Sequence, residues 1–138
     1  MITRFEDWPS RLFGLIESRR HAPFAWAKND CCLFACDAVL AMTGVDPAAP
    51  FRGYESKEEA EALIAEYGTL EDLVADRCRE MNFAEQPPAM AQRGDLALFD
   101  NDGNPALGIC VGAEVAFPGR TGIALIPVGC CRRSWRVG

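Results

Sequence analysis

The sequence predicts an α+β fold, with helices first and an antiparallel sheet second. Up to about residue 82, apolar side chains recur at three- and four-residue spacing between capping residues. From Gly94 onward the pattern switches to short apolar runs separated by Gly, Pro, Asn and Asp. Because helices precede strands instead of alternating with them, the helices are expected on one side of the sheet.

The elements follow in order. Asp7 is placed to cap a first helix, with Pro9 in its first turn and Trp8, Leu12, Leu15 and Ile16 at helical spacing. Pro23 cannot continue that helix. A second helix runs from Asn29-Asp30 to Gly44, with Cys31, Phe34, Ala35, Ala38, Val39 and Met42 on its apolar face. "VDPAAPFRGY" reads as an ordered irregular loop. Ser56 and Glu59 form a capping box for a third helix that ends at Gly68, and Thr69 and Asp72 open a fourth that ends near Met81. "AEQPPAMAQRG" reads as a connector. "DLALFD", "ALGICVG", "EVAFPG", "IALIPVG" and "RSWRV" then read as about five strands, the first two joined by a hairpin at "DNDGNP". The expectation is one domain over residues 1–138, helical over about 6–82 and sheet over about 94–137.

Composition narrows the function classes. A chain of 138 residues buries enough surface for one core without staples, and 49% hydrophobic with 25% charged residues is a globular balance. The net charge of -6 argues against nucleic acid as the main partner. Acidic residues crowd positions 55–80, which reads as a solvated helix pair, and the C-terminal "CRRSWRVG" is basic. No apolar stretch approaches the ~20 residues that span a bilayer. Seven cysteines, an odd number with two adjacent pairs and no signal-peptide pattern, read as free thiols in a reducing compartment.

Cys31 carries the sharpest chemical question. A thiol at a helix N-terminus sees the helix dipole and unpaired N–H groups, which lower its pKa and favour the nucleophilic thiolate. Cys31 sits one residue after the cap; Cys32 sits deeper in the turn. The same position also suits a small buried hydrophobe. Residue type and position leave both readings open.

The order of motifs adds a resemblance. A helix opening with "DC", then helices, then "RGDLALFD" and "ALGICVG", resembles the NlpC-type peptidases, a papain-like family that cuts peptide bonds in bacterial cell walls. The resemblance implies a papain-like fold, with Cys31 at the nucleophile position and Gly94-Asp95 leading the first strand of the sheet. It places the family's general-base His at Ala106. Around "PFAWAKNDCCLFACDAV", "TGVDPAAPFRG", "PALGICVGAEVAFPG" and "SWRVG" the chain also resembles small proteins of this type encoded among tail genes of tailed bacteriophages and gene transfer agents. That resemblance implies a place in the virion at the tail tip, after assembly in the host cytoplasm. Its partners would be other tail-tip or hub proteins, and peptidoglycan peptides as a further ligand.

The chain departs from the enzymes where the proton must go. Ala106 has no titratable atom. The next strand, "EVAFPG", offers only Glu114, at its turn. The single histidine, His21, precedes the cysteine helix and is not on the sheet. General-base assistance is worth about 10²–10⁴ in rate. Trp26, Arg52 and Tyr54 are the remaining candidate binding residues; Trp26 precedes the cysteine helix as a Trp does in the peptidase relatives. No C-x-x-C spacing points to a metal, and no cofactor fingerprint is present. Two functions follow. One is a structural or binding component of a phage-type tail tip, built on a peptidase fold that has lost its base. The other is an active cell-wall peptidase or amidase that uses Cys31 during host entry. In either, Cys31 is expected at the first turn of its helix, facing a groove beside the strand that carries Ala106.

Overall fold

The computed structural model describes all residues, 1–138. Four helices, α1 (Trp8–Ser18), α2 (Cys31–Thr43), α3 (Lys57–Tyr67) and α4 (Leu70–Glu80), precede six strands. These are β1 (Glu85–Gln86), β2 (Leu96–Asn101), β3 (Asn104–Cys110), β4 (Glu114–Pro118), β5 (Ile123–Pro127) and β6 (Cys131–Trp135). They form one antiparallel sheet in the order β1-β6-β2-β3-β4-β5. The expected α+β architecture is present. The sixth strand is the two-residue β1, which lies in the expected connector and pairs with β6 through Glu85 opposite Trp135. Two residues carry no periodicity, so the sequence offers no strand signal there.

Local chemistry explains most boundaries. The β2–β3 turn is Asp102-Gly103, both at positive φ, as a two-residue hairpin requires. Thr69 and Asp72 exchange both capping-box hydrogen bonds. Two caps differ from expectation. Asp7 does not cap α1: its carboxylate accepts from Arg11 Nε at 2.8 Å instead. Ser56 accepts from the Glu59 N–H, but the Glu59 carboxylate reaches back one residue further, to the Glu55 N–H at 2.6 Å.

α2 is the central element. It packs against α1 and across β3 and β4. Leu33 and Cys36 are buried along with the expected Phe34, Ala35, Ala38, Val39 and Met42, so the helix is covered on nearly all sides. Gly108 lets β4 close over β3: a Cβ there would lie 2.5 Å from a Val115 methyl and 2.7 Å from the Ala116 carbonyl oxygen. Gly122, at φ +141°, lets the segment after α1 reach the sheet, since a Cβ would meet the Arg20 carbonyl oxygen at 2.2 Å.

The charge asymmetry resolves within the chain. Glu71 on α4 accepts from Arg132 at 2.5 Å and from Arg133 at 2.9 Å, and Arg133 also grips Glu85 with two bonds. The basic C-terminus is thus bound to the acidic helical region, which is not the wholly solvated pair that composition suggested. Asp95, of the Gly-Asp motif, is almost fully buried. It accepts from Arg4 Nη2 at 2.9 Å, from Gln86 Nε2 and the Gln92 N–H, each at 2.9 Å, and from the Val137 N–H at 3.2 Å. One carboxylate therefore ties the N-terminal segment, the connector and the C-terminus to the start of β2.

Candidate functional site

The site is assembled around the first turn of α2. Ala25 and Asn29 pair across a tight three-residue loop, with backbone bonds of 2.8 and 3.2 Å. Ala27 at its tip has φ 69°, a left-handed conformation that costs a non-glycine residue about 1–2 kcal/mol. The Ala27 N–H donates to Asp30 Oδ2 at 3.1 Å, which holds the loop. Asp30 Oδ1 accepts from the Leu33 N–H at 2.9 Å and so caps α2. The Tyr54 hydroxyl donates a short hydrogen bond to Asp30 Oδ2. Asp30 is 2% exposed and has three donors but no cation among them.

A second network fixes the frame. Arg19 donates to Asn29 Oδ1 at 3.0 Å and to Asp37 Oδ2 at 2.7 Å. Arg52 grips Asp37 at 2.5 Å and Asp46 at 2.5 and 3.1 Å. Asn29 donates to the carbonyls of Ala22 and Pro23. The loop before α2 and the "FRGY" loop are therefore both tied to α2, which sets Trp26 and Tyr54 on either side of its N-terminus.

These elements enclose a cavity of about 480 Å³. Cys31, Cys32 and Ala106 lie in its wall, with Phe24, Trp26 and Tyr54. The expected placement of Cys31 at a groove beside the Ala106 strand is what the geometry shows. Trp26 is 40% exposed and meets Phe24 edge-on, ring centroids 5.0 Å apart. Arg52 is not in the wall; its guanidinium is taken up by two carboxylates, and its role in the geometry is to anchor the loop. His21 is also outside, exposed, and lies where the post-α1 segment meets Gly122. Asp30, Asn101, Asn104, Lys57 and Glu61 belong to the wall and were not singled out as cavity residues by the sequence. Only the cap signal at Asp30 was available, and a contact 24 residues away, such as Tyr54 to Asp30, leaves no local pattern.

Burial opposes activation of the thiol. Burial, with the neighbouring Cys32 and the Asp30 carboxylate, pushes the Cys31 pKa up to about 12, against backbone hydrogen bonds from Leu107 and Cys32 that favour the thiolate. The helix N-terminus is present, yet desolvation and like charge outweigh it. The Cys32 thiol is also raised, first by its hydrogen bond with Cys36 and then by burial. Burial and the bond to Asp30 raise Tyr54 far above the usual tyrosine range, so its hydroxyl stays protonated and cannot serve as a base. No set of three or more His, Cys, Asp or Glu side chains is arranged to hold a metal ion.

A helix-borne cysteine facing an antiparallel sheet, with a motif strand opposite, defines the architecture as NlpC/p60-like and papain-like. The fold matches the crystal structure of the NlpC/p60 domain of the peptidoglycan hydrolase SagA with a TM-score of 0.54 at 15% identity, over 91% of this chain and 96% of that one. Residues 3–137 match the family described as Domain of unknown function (DUF6950), and the chain belongs to that family. No curated protein matches the sequence.

Proposed function

We propose that this is a catalytically silent NlpC-type domain that works by binding. The observation that carries the reading is the pairing of Cys31 with Ala106 in one cavity wall, where the peptidase pattern would pair a thiol with an imidazole. Burial that raises the Cys31 thiol to about 12, with no His in the wall to take its proton, disfavours a nucleophilic thiolate at neutral pH. The cavity and its aromatic edge are features of a binding site. The resemblance of the sequence to tail-gene proteins supports a more specific role, as a component of a phage-type tail tip that contacts other tail-tip or hub proteins. The structural neighbour acts on peptidoglycan by its name, and fold likeness alone does not transfer that activity.

The test is direct. The intact protein and Cys31→Ser are incubated with peptidoglycan fragments, and products are followed by mass spectrometry. The silent reading expects no cleavage by either. Cleavage by the native chain that Cys31→Ser abolishes would establish a peptidase with an unconventional base. For the tail-tip role, Cys31→Ser should leave particle assembly and host entry intact.

A further inference from the structure

We infer that the cavity is a socket for one large, uncharged apolar side chain of a partner polypeptide, and that this partner segment carries Lys or Arg beside the anchor. The inference rests on the binding-domain reading above and names the chemistry of its ligand.

The deep wall of the cavity decides the anchor. Cys31, Cys32, Ala106, Leu70 and Leu73 line it, and both thiols remain protonated and neutral at neutral pH. The charged cavity residues are few. Asp30 already has its three donors, and Lys57 lies 3.8 Å from Glu61 on the exposed face of α3. No unengaged cation is left to hold a carboxylate, and the buried Asp30 would repel one. A cavity of about 480 Å³ falls within the range of about 300–1,000 Å³ that encloses small ligands, so a large side chain fits with room for its adjoining backbone.

The mouth decides that the anchor sits on a polypeptide. Asn101 and Asn104 flank the β2–β3 turn, are exposed, and contribute to the cavity wall. Their carboxamides form no side-chain hydrogen bond within the fold. Each offers donors and an acceptor, the complement of a peptide N–H and C=O. Trp26 and Phe24 supply apolar surface beside them. The flanking charge follows from the start of α3: Glu55 and Glu58, sequence neighbours of the wall residues Tyr54 and Lys57, are exposed and form no ion pair, in a chain of net charge -6. Basic residues beside the anchor would be attracted, and that attraction would fall with salt.

Three acetylated and amidated pentapeptides test this with the full ¹⁵N-labelled chain: Lys-Gly-Phe-Gly-Lys, the same with Ser for Phe, and the same with Glu for both Lys. The first should bind saturably, shifting the amide resonances of Ala60, Leu63, Ile64 and Ala106. The Ser peptide should bind about tenfold or more weaker, as expected when an aromatic side chain is not buried. The Glu peptide should bind several-fold weaker, with the gap closing between about 0.05 and 0.5 M salt as screening grows. Asn104→Ala, an exposed substitution that leaves the core untouched, should weaken the first peptide several-fold. Equal binding of the Phe and Ser peptides, preference for the Glu peptide, or shifts confined to another face would overturn the socket. So would no binding at all. New cleavage products in the same tubes would instead overturn the silent reading, so the two failures are distinct.

Discussion

Two aspartates, Asp30 and Asp95, are each 2% exposed, and each accepts from several donors, yet they do different work. Asp95 sits at the head of β2 against the Arg4 guanidinium and joins three distant segments. Its charge is matched by a cation, and its place is remote from the cavity. Asp30 sits at the head of α2 with backbone N–H groups and the Tyr54 hydroxyl, and no cation. Its uncompensated charge is felt by the adjacent Cys31, whose pKa it helps to raise. A buried carboxylate with a cation closes the fold, whereas one held by neutral donors shapes the electrostatics of a site. Replacing each in turn should separate the two roles.

The largest effect is expected at the closure. Asp95→Ala leaves Arg4 and three further donors without their acceptor, and should cost about 3–5 kcal/mol in chemical denaturation, with little change in Cys31 reactivity in the molecules that remain folded. Asp30→Ala removes the α2 cap and two further hydrogen bonds, and should cost about 2–3 kcal/mol. Unlike the first change, it should make Cys31 more reactive toward iodoacetamide, because a like charge is gone. Equal reactivity in the two variants would break the comparison.

A pH titration sharpens it further. Cys31 and Cys78 have folded-state pKa values raised to about 12, against about 8.5 for a free thiol, so the folded chain holds more protons than the unfolded one between these values. Their stabilising contribution is fully present below about pH 8.5 and is lost as pH rises toward 12, at about 1.4 kcal/mol per pH unit for each thiol. Urea midpoints should therefore fall between pH 8.5 and 10, and fall less steeply in Cys78→Ala. The smallest change is Ala27→Gly, which relieves the left-handed strain beside Asp30 and should stabilise by roughly 0.5 kcal/mol after the entropic cost of glycine.

Much of this was legible in the sequence. The helix-to-sheet switch at Gly94, the Asp30 cap, the Thr69 capping box and the Asp102-Gly103 turn are local signals, and the structure carries them. The meeting of Cys31 and Ala106 at one cavity was legible only through the order of motifs. What escaped was non-local. The grip of the exposed Arg52 on Asp37 and Asp46 is fixed by tertiary packing and leaves no local pattern. Residue type and position left Cys31 open between an activated and a buried thiol, because helix position is visible in a sequence while burial and the aim of the Asp30 carboxylate are not. The two-residue β1 is too short to show a period.

The central claim is that this cavity keeps Cys31 protonated. It is tested most directly by the pH dependence of Cys31 alkylation in the intact chain, read by peptide mass spectrometry from pH 5 to 11. The account predicts a rate that climbs about tenfold per pH unit and is still rising above pH 10. A rate that levels off below pH 8 would mean a thiolate ready at neutral pH, and would contradict it.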